Sequence, residues 1–391
     1  MLPLAGTTIL SLEQAVAAPF ASRQLADLGA RVIKIERPGV GDFARHYDHK
    51  ARGLSSHFAW TNRGKESLTL NLKSPQGKQI VSRLLEKTDI FLQNLAPGAI
   101  ERLGFTDEFL SVNYPQLIVC HISGYGREGP YRDKKAYDLL IQAEAGLLSV
   151  TGTPEEPAKV GIAVADIAAG MYAYSGILTA LLARQKTGQG AILEISMLEA
   201  LGEWMGFPMY HSLSGSAPAP SGAAHASIAP YGPFETGDGQ VIMLGLQNER
   251  EWHRFCEWVL QRPELMADAR FAGNTERLKH RSELRDIIRS VFRRLAQDEV
   301  SARLERAGIA NAEMRSMQAF MQHPQLSARD RWRDVESEAG SLPALLPPAT
   351  MSSVEAAMNP IPALGQHTES ILSELAYTKQ EIAKLRKEKI I

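Results

Sequence analysis

Short apolar, β-branched runs alternate with amphipathic helical patterns between Thr7 and about Gly124. The helical patterns are PFASRQLADLG and SPQGKQIVSRLLEK, and the strand-like runs are TTILSL, RVIKIE, SLTLNL, TDIFLQN and LIVCHIS. Strands that alternate with helices predict a mostly parallel sheet covered on both faces. The fold class is therefore predicted to be α/β.

Polar and glycine-containing segments follow the predicted strands. Ligands bind such sheets in crevices outside the carboxyl ends of the strands. At those ends the sequence carries Glu36-Arg37-Pro38-Gly39, Asn71-Leu72-Lys73, Gln93-Asn94 and Ser123-Gly124-Tyr125-Gly126. We expect the binding residues among them.

The rest of the chain suggests a second body. A helix is predicted from about Ile167 to Gln185, capped by Asp166 and ended by Gly188, and the strand AILEIS follows it. The segment SGSAPAPSGAAHASIAP has the composition of a linker, and a β-hairpin is predicted around Gly237-Asp238-Gly239. Helical patterns then dominate from about Leu278 to Gln322. We predict a large domain over residues 1–200, a linker over 201–230 and a small α/β domain over 231–330.

Charge and cysteine content restrict the function. The chain has 43 Lys and Arg against 44 Asp and Glu, with no long run of one sign, so we expect no nucleic-acid or membrane partner but a small molecule. No stretch of eighteen apolar residues and no signal-like start are found. The two cysteines, Cys120 and Cys256, lack the spacing of a disulfide framework or metal site. A reducing, cytoplasmic location and no metal are expected.

Several short motifs are weak. The segment Gly39 to Asp42 lacks the G-x-G-x-x-G pattern of a dinucleotide loop, and no G-x-S-x-G elbow of a serine hydrolase is present. His253 and Cys256 lie on one helix face, but without a second Cys/His pair they are expected to pack in a core.

Asp166 stands alone among small apolar residues in the segment VADIAAG, with no other charge from Gly161 to Ala183. A carboxylate at a helix start is commonly a cap that accepts backbone N–H bonds. Small neighbours also leave room for a bulky substrate, and the free N–H groups of a helix start can stabilise an oxyanion. The residues alone leave both interpretations open.

The sequence resembles the class III CoA-transferases, the CaiB/BaiF family that includes formyl-CoA transferase and carnitine CoA-transferase. The resemblance covers essentially the whole chain and rests on motifs in the right order: LGARVIKIERPGVGD, TNRGKESLTLNLKSP, NLAPGAIERLGF, SGYGREGPYRDKKAYD, VADIAAG, TGQGAILEISMLEA, APYGPFETGDG and LGQHTESIL. It implies that coenzyme A is a substrate and that no metal is needed.

The resemblance makes Asp166 the nucleophile. It implies that this carboxylate attacks a donor thioester to form a mixed anhydride, which the CoA thiolate converts into an aspartyl-CoA thioester for the acceptor acid to attack. It also assigns CoA contacts, which are expected at Val16, Ala17, Arg37, Leu72, Lys73, Asn94, Arg102, Lys135, Tyr137 and Asp138.

The resemblance also implies an architecture. It predicts a Rossmann-like, doubly wound large domain with a second, smaller α/β domain. Two chains are expected to interlock as a homodimer. Residues 331–391 are then a return linker and the C-terminal part of the large domain.

Alternatives and substrate follow from departures within the family. Racemases of the family need a His base in a G-H-D motif, but this chain has Ala136 and Tyr137 there, which makes racemase activity the weaker alternative. Non-catalytic CoA binding is the other alternative. Formyl-CoA:oxalate enzymes carry a glycine run where this chain has only Gly222 and Gly232 beside His225.

A cationic cluster suggests the acid. Its members share one loop-rich segment: Arg45, His46, Arg52, His57 and Arg63. We expect some of them to neutralise the far carboxylate of a dicarboxylic acid. The segment LADLGARVIKIERPGVGDFAR also resembles family members that use succinyl-CoA with C4 or C5 dicarboxylates, and this resemblance implies an acid such as mesaconate, itaconate or citramalate with succinyl-CoA as donor.

Overall fold

The computed structural model describes residues 1–391, which form two compact units. The first unit comprises residues 1–147, 160–207 and 326–391, and the second comprises residues 148–159 and 208–325. A single unit is thus assembled from separate stretches of the chain.

The regular elements are as follows. The strands are β1 Thr8–Leu12, β2 Arg31–Glu36, β3 Lys65–Thr69, β4 Ile90–Gln93, β5 Ile118–Ser123, β6 Ala191–Ser196, β7 Tyr231–Glu235, β8 Val241–Gly245, β9 Ala310–Glu313, β10 Trp332–Val335 and β11 Leu342–Leu345. The α-helices are α1 Ala17–Asp27, α2 Ser56–Thr61, α3 Pro75–Leu85, α4 Ala99–Arg102, α5 Asp107–Asn113, α6 Asp138–Glu144, α7 Val164–Thr187, α8 Met197–Trp204, α9 Gly206–Ser212, α10 Glu249–Arg254, α11 Asn274–Lys279, α12 Arg281–Phe292, α13 Gln297–Ala307, α14 Met317–Met321, α15 Pro324–Ala328, α16 Thr368–Glu374 and α17 Lys379–Lys387.

The first unit is built on a six-stranded sheet with the order β3-β2-β1-β4-β5-β6. Every neighbouring pair is parallel. Helices α1 and α7 cover one face, and α3, α16 and α17 cover the other. This confirms the α/β class and the mostly parallel sheet, and it explains why the strands are apolar on both faces.

Helix α7 packs closely on α1 through small residues. A Cβ atom added at Gly170 would lie 2.7 Å from the backbone oxygen of Ala17, so only glycine permits this approach. By length and composition α7 is also the one helix that would pass as a membrane span, with a mean hydropathy of 1.3. Its buried alanines lie in the core between α1 and the sheet, so we describe it as a core helix.

The C-terminal residues pack on the edge of the same sheet. The backbone N–H of Ser67 donates to His367 Nδ1 at 3.1 Å, and that of Thr69 donates to Thr368 Oγ1 at 3.0 Å. Strands β10 and β11 form an antiparallel hairpin within the segment that the resemblance assigned to a return linker. Pairing between these two short segments, rather than local propensity, makes them strands.

The second unit is a three-stranded antiparallel sheet, β7-β8-β9, covered by helices. The hairpin predicted around Gly237-Asp238-Gly239 is present. Strand β9 interrupts the region that we predicted to be helical, and Cys256 lies in the apolar core as expected. Residues 214–230 contain no regular element, as their composition indicated.

Candidate active site

The sheet order reverses between β1 and β4, which opens a crevice at their carboxyl ends. Asn94 directly follows β4 at this point: its Oδ1 accepts from Gln14 N at 2.8 Å, and its Nδ2 donates to Gln14 O at 2.9 Å. The amide of Asn94, predicted as a CoA contact, is therefore already bonded to the turn after β1.

The turn after β1 leads directly into α1. Ala15 has a positive φ of 61°, Val16 is the N-cap residue of α1, and Ala17 is its first residue. The backbone N–H of Ala17 donates a hydrogen bond to the carboxylate of Asp166. Two residues predicted from the resemblance, Val16 and Ala17, thus lie beside the predicted nucleophile.

Asp166 is the third residue of α7, whose N-cap residue is Ala163. The prediction that Asp166 caps this helix is wrong. Asp138 takes that role instead, since its Oδ1 accepts from Ala165 N at 2.8 Å and from Asp166 N at 3.4 Å. The carboxylate of Asp166 consequently does not cap the N–H groups at the start of α7.

Two effects raise the pKa of Asp166 to about 7. Burial is the larger, because it removes water from the charged form, and the negative charge of Asp138 adds to it. The hydrogen bond from Ala17 N–H acts in the opposite direction. A perturbed carboxyl group in a crevice is a mark of a functional site, and the raised basicity suits a nucleophile.

Asp138 is itself fixed from the other side. Its Oδ2 accepts from Gln142 Nε2 at 2.7 Å, and the buried Gln142 accepts from Val160 N through Oε1 at 3.0 Å. This chain of bonds connects α6 to the segment that enters α7. The structure therefore brings Asp138 and Asp166 together, 28 residues apart in sequence.

Two tyrosines complete the surroundings. Burial, together with the charges of Asp42 and Asp166, raises the pKa of Tyr47 to about 12, and Tyr137 contributes to the same shift. Tyr137 was predicted, and it is the largely exposed N-cap residue of α6. Tyr47 was missed, because no local pattern distinguishes it from other aromatic residues in a loop.

Four predicted basic residues are exposed around the carboxyl ends: Arg37, Lys73, Arg102 and Lys135. None forms an ion pair with a carboxylate. Arg37 and Arg102 only bond backbone oxygens, those of Gly41 and Pro97. Half-buried Leu72 precedes Lys73 in the loop after β3. Their role in binding the phosphates of CoA stays a prediction, and their unpaired charges suit it.

The cationic cluster predicted to bind a dicarboxylate does not form as a unit. Arg45 Nη2 donates to Glu36 Oε1 at 2.7 Å, and Arg63 Nη2 donates to Asp27 Oδ2 at 2.7 Å, with both pairs buried. These two arginines are neutralised inside the protein. His46 and Arg52 bond the backbone oxygens of Val40 and Ser341.

His57 is the member of the cluster connected to the nucleophile. Its ring contacts Tyr47 edge-on, with centroids 5.3 Å apart. The negative charge of Asp166 contributes in turn to the raised pKa of Tyr47. His57 Nδ1 lies 3.8 Å from Asp48 Oδ2. Of the cluster, His57 therefore remains as the candidate for binding the second carboxylate of the acid near Asp166.

Replacing Arg45 by methionine should lower the free energy of unfolding by about 3–5 kcal/mol, because it leaves Glu36 buried with an unpaired charge. Burial alone would raise the pKa of Glu36, but the bonds from Arg45 and the charge of Lys34 lower it to about 2. Urea unfolding measures the loss. Lys73→Met, at an exposed unpaired site, is the control and should change stability by less than about 0.5 kcal/mol. Equal stabilities for the two variants would contradict this interpretation.

The segment that replaces the glycine run of oxalate enzymes is held in the second unit. His225 stacks on Tyr231 with centroids 5.0 Å apart, and its backbone oxygen accepts from Arg281 Nη2 at 2.6 Å. Gly232 has a φ of 158°, and Gly222 donates its N–H to Gly152 O at 2.6 Å. This segment is therefore fixed by side chains that a run of glycines would lack.

These features define the class of protein: a doubly wound α/β enzyme with an open crevice at the point where the strand order reverses and a basic carboxylate beside it. The chain belongs to CoA-transferase family III, which it matches over residues 4–368. This confirms both the predicted family and the predicted enzyme class.

Individual relatives agree with this assignment. A succinate–glutarate CoA-transferase of Agrobacterium fabrum is 33% identical over 95% of this chain and 96% of its own length. A succinyl-CoA–D-citramalate CoA-transferase of Chloroflexus aurantiacus is 32% identical over 100% of this chain and 98% of its own. The crystal structure of a CaiB/BaiF family protein from Brucella suis has a TM-score of 0.86 and 30% identity, with 95% and 99% of the two chains covered.

Proposed function

We propose that this enzyme transfers CoA from succinyl-CoA to a C4 or C5 dicarboxylic acid, with Asp166 as the covalent nucleophile. The single observation that carries the proposal is the environment of Asp166: a carboxylate with a pKa of about 7, free of its helix cap and bonded by Ala17 N–H. The donor and the acid class are supported by the relatives that act on succinate, glutarate and citramalate.

The first half-reaction converts Asp166 into a thioester in two steps. The carboxylate oxygen attacks the thioester carbon of succinyl-CoA, the C–S bond breaks, and a mixed anhydride and CoA thiolate result. The thiolate then attacks the carboxyl carbon of Asp166, succinate leaves, and aspartyl-CoA remains. In the second half-reaction the acceptor carboxylate repeats the sequence in reverse, which regenerates the free carboxylate. One thioester replaces another, so the exchange is energetically close to neutral.

The N–H of Ala17 has a second use in this scheme. Each attack on the carboxyl carbon of Asp166 moves negative charge onto one of its oxygens. The backbone donor that holds the resting carboxylate is directed at that charge. A fixed backbone N–H needs no reorganisation when the charge develops, so it lowers the barrier both to formation of the aspartyl-CoA thioester by the thiolate and to its cleavage by the acceptor carboxylate.

The acid specificity should appear in a panel of acceptors assayed with succinyl-CoA. For glutarate or citramalate we expect a kcat/KM at least about 100-fold higher than for pentanoate, because a second carboxylate needs a polar partner that a methyl group leaves unused. The rate for each acid is measured by chromatography of the CoA ester that forms. Turnover of monocarboxylates alone would exclude the dicarboxylate proposal while leaving the transferase intact.

His57→Gln tests which side chain receives the second carboxylate. Glutamine stays polar but cannot become a cation, so glutarate turnover should fall towards the level of pentanoate. Arg52→Gln is the matched control in the same segment, since Arg52 is bonded to Ser341 O. Incubation with acyl-CoA in deuterated water, without any acceptor acid, tests for racemase activity. We expect no α-proton exchange in this experiment.

We also propose a homodimer and a cytoplasmic location. Exposed apolar side chains on α8 and α9, among them Trp204, Phe207 and Tyr210, support a partner surface on these helices. Both cysteines are free and buried, which suits a reducing compartment.

A further inference from the structure

A buried carboxylate outside the reacting groups holds the turn between β1 and α1. Asp42 is fully buried in the segment after β2. Its Oδ1 accepts from Ala15 N at 3.1 Å and from Ala44 N at 2.9 Å, and its Oδ2 accepts from Lys34 Nζ at 2.7 Å. The side chain therefore joins the β1–α1 turn to strand β2.

The turn needs such a support. Ala15 has a φ of 61°, a left-handed conformation that is unfavourable for a residue with a Cβ atom. Such a conformation persists only where the surroundings determine it. Asn94 holds Gln14 from the β4 side, and Asp42 holds Ala15 from the β2 side. The turn is thus fixed between two strands.

Asp42 is rigid because its own partners are fixed. Lys34 also bonds Asn62 Oδ1 at 3.0 Å and lies 3.5 Å from Glu13 Oε1, and Glu13 accepts from Lys65 Nζ at 2.6 Å. The side chains of this buried network carry charges of both signs in contact. Removal of one partner would leave an uncompensated buried charge, so the network tolerates little movement.

We propose that Asp42 is a positioning residue for the transfer reaction. By fixing Ala15 it fixes the direction of the Ala17 N–H, two residues further along, and this N–H bonds the carboxylate of Asp166. The inference rests on the proposed function of Asp166. Asp42 touches neither substrate nor the reacting atoms and acts through this turn, so the rate of adduct formation should respond more strongly than CoA binding.

The test compares Asp42→Asn with the double variant Asp42→Asn, Ala15→Gly. Asparagine has one acceptor oxygen where aspartate has two, so it cannot accept from both Lys34 Nζ and Ala15 N. When the oxygen faces the Lys34 ammonium, the NH2 group faces Ala15 N, and the turn loses its support. We expect adduct formation at Asp166 to slow at least about tenfold, since small displacements at a reacting centre have effects of this size. CoA affinity should fall by a smaller factor than the rate, since only Val16 and Ala17 among the predicted CoA contacts lie in this turn. Glycine adopts a positive φ freely, so Ala15→Gly should restore most of the lost rate.

Asp27→Asn is the matched control. Asp27 is a buried carboxylate bonded to Arg63 and Arg23 at the far end of α1. Its variant should be less stable but should form the adduct at the wild-type rate per folded molecule. Equal losses of rate and CoA affinity in Asp42→Asn, or no recovery on adding Ala15→Gly, would overturn the proposal.

Amide hydrogen exchange separates this inference from the proposed function. Exchange of residues 15–18 should accelerate in Asp42→Asn and slow again in the double variant, whether or not acyl-CoA is present. Unchanged exchange in Asp42→Asn refutes the support of the turn. A wild-type protein that forms no adduct at Asp166 refutes the covalent mechanism instead.

Discussion

Asp166→Asn should lower the rate of CoA exchange by at least about 10⁴-fold, the scale on which covalent enzymes lose activity without their nucleophile. Asparagine matches aspartate in shape, and its Oδ1 still accepts from Ala17 N–H. Its amide carries no negative charge to attack a thioester, so neither the anhydride nor the aspartyl-CoA thioester forms. The variant therefore removes the reaction without removing the hydrogen bond seen in the structure.

Two measurements check this result. Steady-state exchange gives the rate, and mass spectrometry of the peptide containing Asp166 after addition of succinyl-CoA detects a gain of CoA less one water in the wild type only. CoA binding, followed by calorimetry, is the control and should survive in Asp166→Asn. Exchange at an undiminished rate would show that another group carries the acyl transfer.

The six-stranded parallel sheet could be predicted from the sequence, but the short strands β9 and β11 could not. Strands β1 to β6 are apolar runs between helical patterns, and their pairing follows from the rule that such units form parallel sheets. Strand β9, with the sequence ANAE, and β11, with LPAL, have no strand propensity of their own. They are strands because β8 and β10 supply their hydrogen-bond partners.

The candidate site was predictable only in part, because the partners of charged residues lie far away in sequence. Asp166 was identified through the resemblance, while the residues alone allowed a simple helix cap. The actual cap is Asp138, 28 positions earlier. Arg45 and Arg63 were among the candidates for binding the substrate because their ion-pair partners Glu36 and Asp27 could not be recognised from the sequence.

The rate of adduct formation should rise about tenfold per pH unit below about pH 7 and level off above it. The raised pKa of Asp166 means that the free enzyme holds a neutral carboxyl group at acidic pH, and only the ionised form attacks. Tyr47, whose pKa is raised to about 12, stays neutral throughout this range. Single-turnover kinetics between pH 5 and 9 give the profile, and a flat profile would contradict the assignment.

Asp138→Asn decides whether charge contributes to this pKa. Its side-chain oxygen can still accept from Ala165 N, but its negative charge is gone, so the inflection should move to lower pH. Stability gives an independent sign. A carboxyl group with a raised pKa in the folded state contributes stability that is present below its unfolded pKa and is lost as the pH rises through the folded value of about 7. Thermal unfolding of Asp166→Asn should therefore show a stabilisation relative to wild type that grows up to about pH 7 and levels off above it. An unchanged inflection in Asp138→Asn would mean that burial alone raises the pKa of Asp166, and an upward shift would contradict the assignment to the charge of Asp138.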